Sequence, residues 1–133
     1  MSEIVSEIVY HNKKYFTIHK WVDSINKCIY FEYQFYCSEV DDECTDLFHN
    51  IFRNILANEI PEYQFVIEIY ATSICKVPFF ILKKQVKFMK EMEHHTKERI
   101  KGLTIYCGMI GNILLKTLFW LRKPICNIEI VLE

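Results

Sequence analysis

Residues 103–121 read LTIYCGMIGNILLKTLFWL, nineteen residues with a single charged side chain, Lys116. A hydropathy window takes such a run for a membrane span, which needs about 20 predominantly apolar residues. Within the run, however, LTIYC at 103–107 has the composition of a strand, Gly108 and Gly111 bracket a turn, and Asn112 suits a helix cap. ILLKTLFWLRK, residues 113–123, is then a helix of eleven residues that Pro124 brings to a stop. That is about half of what a bilayer requires. The stretch is predicted to fold as strand, turn and helix, with no transmembrane span, and CNIEIVLE (126–133) closes as an alternating strand.

The same logic extends towards the N-terminus. The duplication SEIV-SEIV at 2–9 is too short for a structural repeat and reads as a first strand. The polar turn His11–Lys14 joins it to YFTIH (15–19) in a hairpin. In CIYFEYQFYC (28–37) the odd positions Ile29, Phe31, Tyr33, Phe35 and Cys37 are apolar or aromatic while Glu32 and Gln34 point away, the period of a half-buried strand. Asp41 or Asp42 caps a helix whose Leu47, Phe48, Ile51, Phe52, Ile55 and Leu56 make one apolar stripe ending near Asn58. YQFVIEIYATSI (63–74) reads as a central strand covered on both faces. Pro78 opens a second helix with Phe79, Leu82, Val86, Met89 and Met92 inward and a charged, solvated end, KEMEHHTKERIK. The predicted order β-β-β-α-β-α-β-α-β over residues 1–133 is a single α/β domain with a mixed sheet and helices packed on it.

Composition narrows the function classes. With 133 residues, 51% of them hydrophobic, the chain can bury a real core. Sixteen basic against seventeen acidic residues give a net charge of −1, so no global field draws it to nucleic acid. The six cysteines are scattered through apolar runs, and the acidic start MSEIVSEIVY lacks a signal peptide's basic region. Free thiols in a reducing, cytoplasmic setting are expected. Abundant Ile, Lys, Asn, Phe and Tyr beside little Gly point to an AT-rich coding genome, viral or parasitic.

No recognised catalytic or nucleotide-binding motif occurs. Glu91, His94, His95 and Glu98 stand at helical spacing, a pattern that can hold zinc but more often marks a solvated helix end, and no metal is assigned. Cys107, between a strand and a helix N-terminus, is the thiol best placed for reactivity, with inert packing the default. The turn Gly108–Gly111 ahead of Asn112 offers backbone N–H groups to an anion, and Thr72 and Ser73 are candidate phosphosites ahead of the Pro78 helix. The last helix is apolar almost all round: Leu115, Phe119 and Trp120 are flanked by Lys116, Arg122 and Lys123, which implies either deep burial or a contact face for a partner, a lipid or a second copy.

KERIKGLTIYCGMIGNILLKTLFWLRKPI, residues 97–125, resembles the CRAL-TRIO (Sec14-like) pattern of Pro-Glu-Arg-Leu, an apolar strand and a helix ending in Lys-Pro. Glu98, Arg99, Ile100, Ile105, Tyr106, Trp120, Lys123 and Pro124 carry it, and the order of elements is similar to STAS-like folds in general. Thr96-Lys97 stands where that family usually has Tyr-Pro, Cys107-Gly108 replaces an Asn-containing turn, and the Asp-Ser phosphorylation motif of anti-sigma antagonists is absent near Pro78. The resemblance implies a STAS/CRAL-TRIO-like sheet and a binding role without a cofactor. The expectation is a non-enzymatic module that engages a protein partner, itself or a hydrophobic ligand through the last helix and the preceding turn. The alternatives are a lipid- or phosphoinositide-binding protein with Lys116, Arg122 and Lys123 at the headgroup, and an enzyme using Cys107 or His94/His95.

Overall fold

The computed structural model describes residues 4–124 and 126–133. Its elements are β1 (Ile4–His11), β2 (Phe16–Asp23), β3 (Cys28–Phe35), α1 (Asp42–Asn58), β4 (Gln64–Tyr70), α2 (Phe79–Glu91), α3 (Glu93–Arg99), β5 (Ile100–Cys107), α4 (Met109–Leu121) and β6 (Ile128–Leu132). They build one six-stranded mixed sheet whose spatial order equals the sequence order. β1–β2 and β2–β3 pair antiparallel, and β3 through β6 run parallel. The α/β class and the mixed sheet are as the sequence predicts, and no described helix is long and apolar enough to cross a membrane. The order differs by one element, because the charged end of the second helix breaks at Met92 into the separate helix α3. Met1 and the first two residues of the SEIV duplication, 2 and 3, lie outside the described residues, as does Ile125 at the end of the resembling segment.

Local chemistry sets the elements. Asp41 caps α1 by accepting the Cys44 N–H at 2.8 Å, and its other oxygen accepts the Tyr15 hydroxyl at 3.2 Å. At the β2–β3 hairpin the Asp23 carboxylate gathers the N–H groups of Ile25 and Asn26 and the Asn26 amide. Those three bonds, with the Asn26 amide first, hold Asp23 below the usual carboxylate range. Arg99 anchors the start of β5: it donates to the carbonyls of Tyr63 and Ile60, both at 3.2 Å, and lies 4.4 Å from the Phe65 ring centre.

Three successive parallel crossovers step in one direction, and crossovers of one hand then place every helix on the same face. The core lies there. Phe16, Ile18, Ile29, Phe31, Tyr33, Phe65 and Ile67 from the sheet meet Cys44, Phe52 and Ile55 of α1 and Phe88 of α2. Phe16 is ringed by Tyr10, Tyr33, Phe35 and Phe48, with ring centres 5.1–6.3 Å apart.

This topology corrects the expectation that β4 is covered on both faces. Ile67 and Ile69 face the helices, whereas Val66, Glu68 and Tyr70 lie on a face that no described helix covers, and they are half-buried only by their neighbours in the sheet. Composition could not separate the two cases, because β-branched and aromatic residues satisfy either face of a strand. Phe79 is a second correction: it is 57% exposed, with the Lys83 ammonium 5.5 Å from its ring centre, while Ile81, Leu82 and Phe88 make the buried stripe of α2. A third concerns the turn before the last helix. Gly108 is the N-cap and α4 already includes Gly111 and Asn112, so the two glycines do not bracket a turn and Asn112 does not cap the helix. Gly111 is required for packing instead, since a Cβ there would lie 3.0 Å from Cys107 Cβ.

Candidate functional site

α4 divides the residues that the sequence singled out into two groups. Gly111, Leu115 and Phe119, with Leu114 and Leu118, face the sheet. Met109, Ile113, Lys116 and Trp120 face outward, and Trp120 is 84% exposed. This split follows from a helix that is apolar all round being laid on one side of a sheet. Its inner stripe finds the sheet and its outer stripe finds nothing among the described residues.

The inner stripe does not close down on β4 and β5. Between them lies a half-enclosed cavity of about 290 Å³, walled by the inner stripe of α4, by Leu82 and Met89 of α2, by Phe48 and Phe52 of α1 and by Ile67, Ile69, Leu103 and Ile105 of the sheet. The wall is overwhelmingly apolar, and two of its few polar groups are engaged with the protein. The Thr45 hydroxyl donates to the Asp41 carbonyl at 2.8 Å, and the Gln85 side-chain oxygen accepts from His49 Nε2 at 2.7 Å. His49 itself is buried behind the wall, stacked on Phe88 with ring centres 3.8 Å apart. Burial pushes its imidazole below the usual value despite the bond it donates to Gln85, with Arg53 and Lys84 adding to the depression. An apolar cavity of about 150 Å³ can stay dry and take up benzene. The cavity here is larger, and sits near the lower end of ligand pockets, about 300–1,000 Å³.

The other sequence candidates are not brought to this cavity as chemistry. Cys107 lines it as a buried thiol, and burial raises its pKa, the reverse of what a nucleophile needs. Helix α3 holds His94 and His95 exposed, His94 pairs with Glu98 at 3.4 Å, and Glu91 is drawn away by Arg53 at 2.9 Å. Among the described residues no His/Cys/Asp/Glu group is arranged to hold a metal. Ser73 donates to the carbonyls of Cys37 and Phe35, tying two loops together, and Thr72 beside it is exposed. Arg122 ion-pairs with Glu93 at 3.2 Å, which leaves Lys116 and Lys123 as the exposed cations of the last helix and its end.

Sequence reasoning missed the second surface, the uncovered sheet face. Its central row sets His19 opposite Glu32, Glu32 opposite Glu68, Glu68 opposite Thr104 and Thr104 opposite Glu129. Beside it Tyr70 and Tyr106 stack at 4.5 Å between ring centres, and the Tyr70 hydroxyl donates to Glu68 at 2.8 Å, which holds the phenol well above its usual pKa. Like charges directly opposite are unfavourable in a sheet. The period-two polar residues Glu32, Gln34 and Glu68 were the available signal for this face.

No protein-family model, curated protein or solved structure matches the chain.

Proposed function

We propose that the protein is a non-enzymatic binding module of STAS/CRAL-TRIO-like architecture that holds a hydrophobic ligand between α4 and the sheet. The observation that carries this reading is the cavity: about 290 Å³ of apolar space, half-enclosed, beside the hydrophobic core of the domain. Apolar wall left facing such a space forgoes about 25 cal/mol for each Å² that a ligand would cover. The volume suits one acyl chain or a small polycyclic molecule and is too small for a whole two-chain phospholipid. With Thr45 and Gln85 engaged by protein partners and the rest of the wall overwhelmingly apolar, selection rests on shape and apolar area, and any polar head remains at the mouth.

Native mass spectrometry of the purified protein, paired with a lipid extract of the same sample, tests the reading. A ligand at one per chain, lost on delipidation and regained on adding a single-chain fatty acid, is the expected result. A protein that neither carries nor takes up apolar ligands contradicts it.

The uncovered sheet face favours a second reading, a protein partner. An aromatic surface carrying Glu32, Glu68 and Glu129 and no lysine or arginine on β3 or β4 fits a partner with cationic side chains. Glu68→Lys would abolish such an interaction while leaving ligand uptake intact.

A further inference from the structure

We infer that the outer stripe of α4 docks the protein on an anionic lipid bilayer. The stripe presents Met109, Ile113 and Trp120 to solvent, with Lys116 between the last two, and none of them packs on the sheet. Phe79 and Phe80, both more than half exposed, open α2 at the same edge of the sheet from which α4 starts, where β4 and β5 end.

Charge selects the occupant. From Ile100 to Ile128 the chain carries Lys101, Lys116, Arg122 and Lys123 and no carboxylate; from Ala71 to Lys90 it carries five lysines and again no carboxylate. Lys76, Lys84 and Arg122 pair with Glu39, with Asp42 and Asp46, and with Glu93, so the cations left without an ion pair among the described residues are Lys101, Lys116 and Lys123 around α4 and Lys83, Lys87 and Lys90 on α2. Trp and Lys on an apolar helix face match the headgroup boundary, where indole rings are favoured and each cation gains about 1 kcal/mol from an anionic surface. This inference stands on the outer surface of α4 and does not require the cavity to be occupied.

Two tryptophans, Trp21 and Trp120, allow a direct test, because Trp21→Phe leaves Trp120 as the single reporter. That variant is mixed with vesicles of phosphatidylcholine alone and of phosphatidylcholine with about 30% phosphatidylserine, and followed by emission and co-sedimentation. The expected result is a blue shift of Trp120 and co-sedimentation on the anionic vesicles, weakened about tenfold or more by Lys116→Glu and lost with Trp120→Ala in the native background. Three results overturn the inference: no partition to either vesicle, equal partition unaffected by Lys116→Glu, or a solution dimer that Trp120→Ala dissociates, which would make a second copy the occupant. An Ile105→Phe/Leu115→Phe variant, which fills the cavity from within, keeps vesicle binding while losing apolar ligands. Failure of the two readings is thereby distinguishable.

Discussion

Ile29 and Ile105 are the same residue on strands of the same sheet, both directed at the helices, and truncating each to alanine tests whether the space under α4 is real. Ile29 is fully buried between Val22 of β2 and Phe65 of β4 and lies outside the cavity wall. Ile105 is also buried, but part of its side chain faces the cavity. Removing the same atoms costs the same transfer free energy at both sites. The packing term differs, because atoms that face empty space have fewer dispersion partners to lose. Isoleucine-to-alanine changes span about 2–5 kcal/mol. Ile29→Ala is expected near the top, about 4–5 kcal/mol, and Ile105→Ala near the bottom, about 2–3 kcal/mol. For a chain of 133 residues, each kcal/mol moves Tm by about 4 °C, so the two variants should melt roughly 8 °C apart. Urea unfolding of delipidated protein, with m unchanged, gives the comparison. Equal losses above about 4 kcal/mol at both sites would mean that α4 is packed down on β5 and that the cavity argument fails.

Lys20, inward on β2, bonds Glu59 at 2.5 Å and Glu7 at 3.4 Å. Glu59→Gln should cost about 1–3 kcal/mol at pH 7 in urea unfolding, because a sheltered ammonium loses its nearest anion. Although burial alone would lower it, bonding to Glu59 and Glu7 raises the Lys20 pKa, so this stabilisation is complete below the unfolded value of about 10.4 and fades as pH climbs through the folded one. His49 has the opposite sign: held neutral, it favours the fold above about pH 6.5, and stability falls as pH drops toward its lower folded value. Melting between pH 7 and 5 should therefore decline more steeply in the native protein than in His49→Gln, and a parallel decline would remove His49 as the cause. At Gly102 a Cβ meets nothing within 4 Å, so Gly102→Ala should stabilise by about 0.4–1 kcal/mol in thermal melts, whereas Gly111→Ala, forced against Cys107 Cβ, should gain nothing or lose. Among the six thiols Cys75 is exposed and Cys28, Cys44 and Cys107 are buried. A thiol reagent at neutral pH should label Cys75 first, and fast labelling of Cys107 would reopen the thiol-enzyme reading.

The strands and helices were legible because their periodicities are strong: the alternation in β3 and the stripe of α1 name their own buried faces. Buried Thr45 and His49 were invisible to that reading, being polar residues on an apolar stripe: the Asp41 carbonyl one turn earlier satisfies Thr45, and Gln85, from α2, satisfies His49. The hidden fact of greatest consequence was that all crossovers fall on one side. It depends on strand order, which no single segment encodes, and it determines that β4 has a bare face and that α4 has an unpartnered back. The apolar excess of residues 103–121 was plain in the sequence; its division between a cavity wall and an exposed stripe appears only once α4 is set against β5.

The central claim is that the space between α4 and the sheet takes up an apolar molecule. Isothermal titration of delipidated protein with a single-chain fatty acid below its micelle concentration tests it most directly. The account predicts saturation at one ligand per chain with a negative heat-capacity change, abolished by Ile105→Phe/Leu115→Phe in a protein that still melts cooperatively. Absence of binding to the native protein, or undiminished binding to the filled variant, would contradict it.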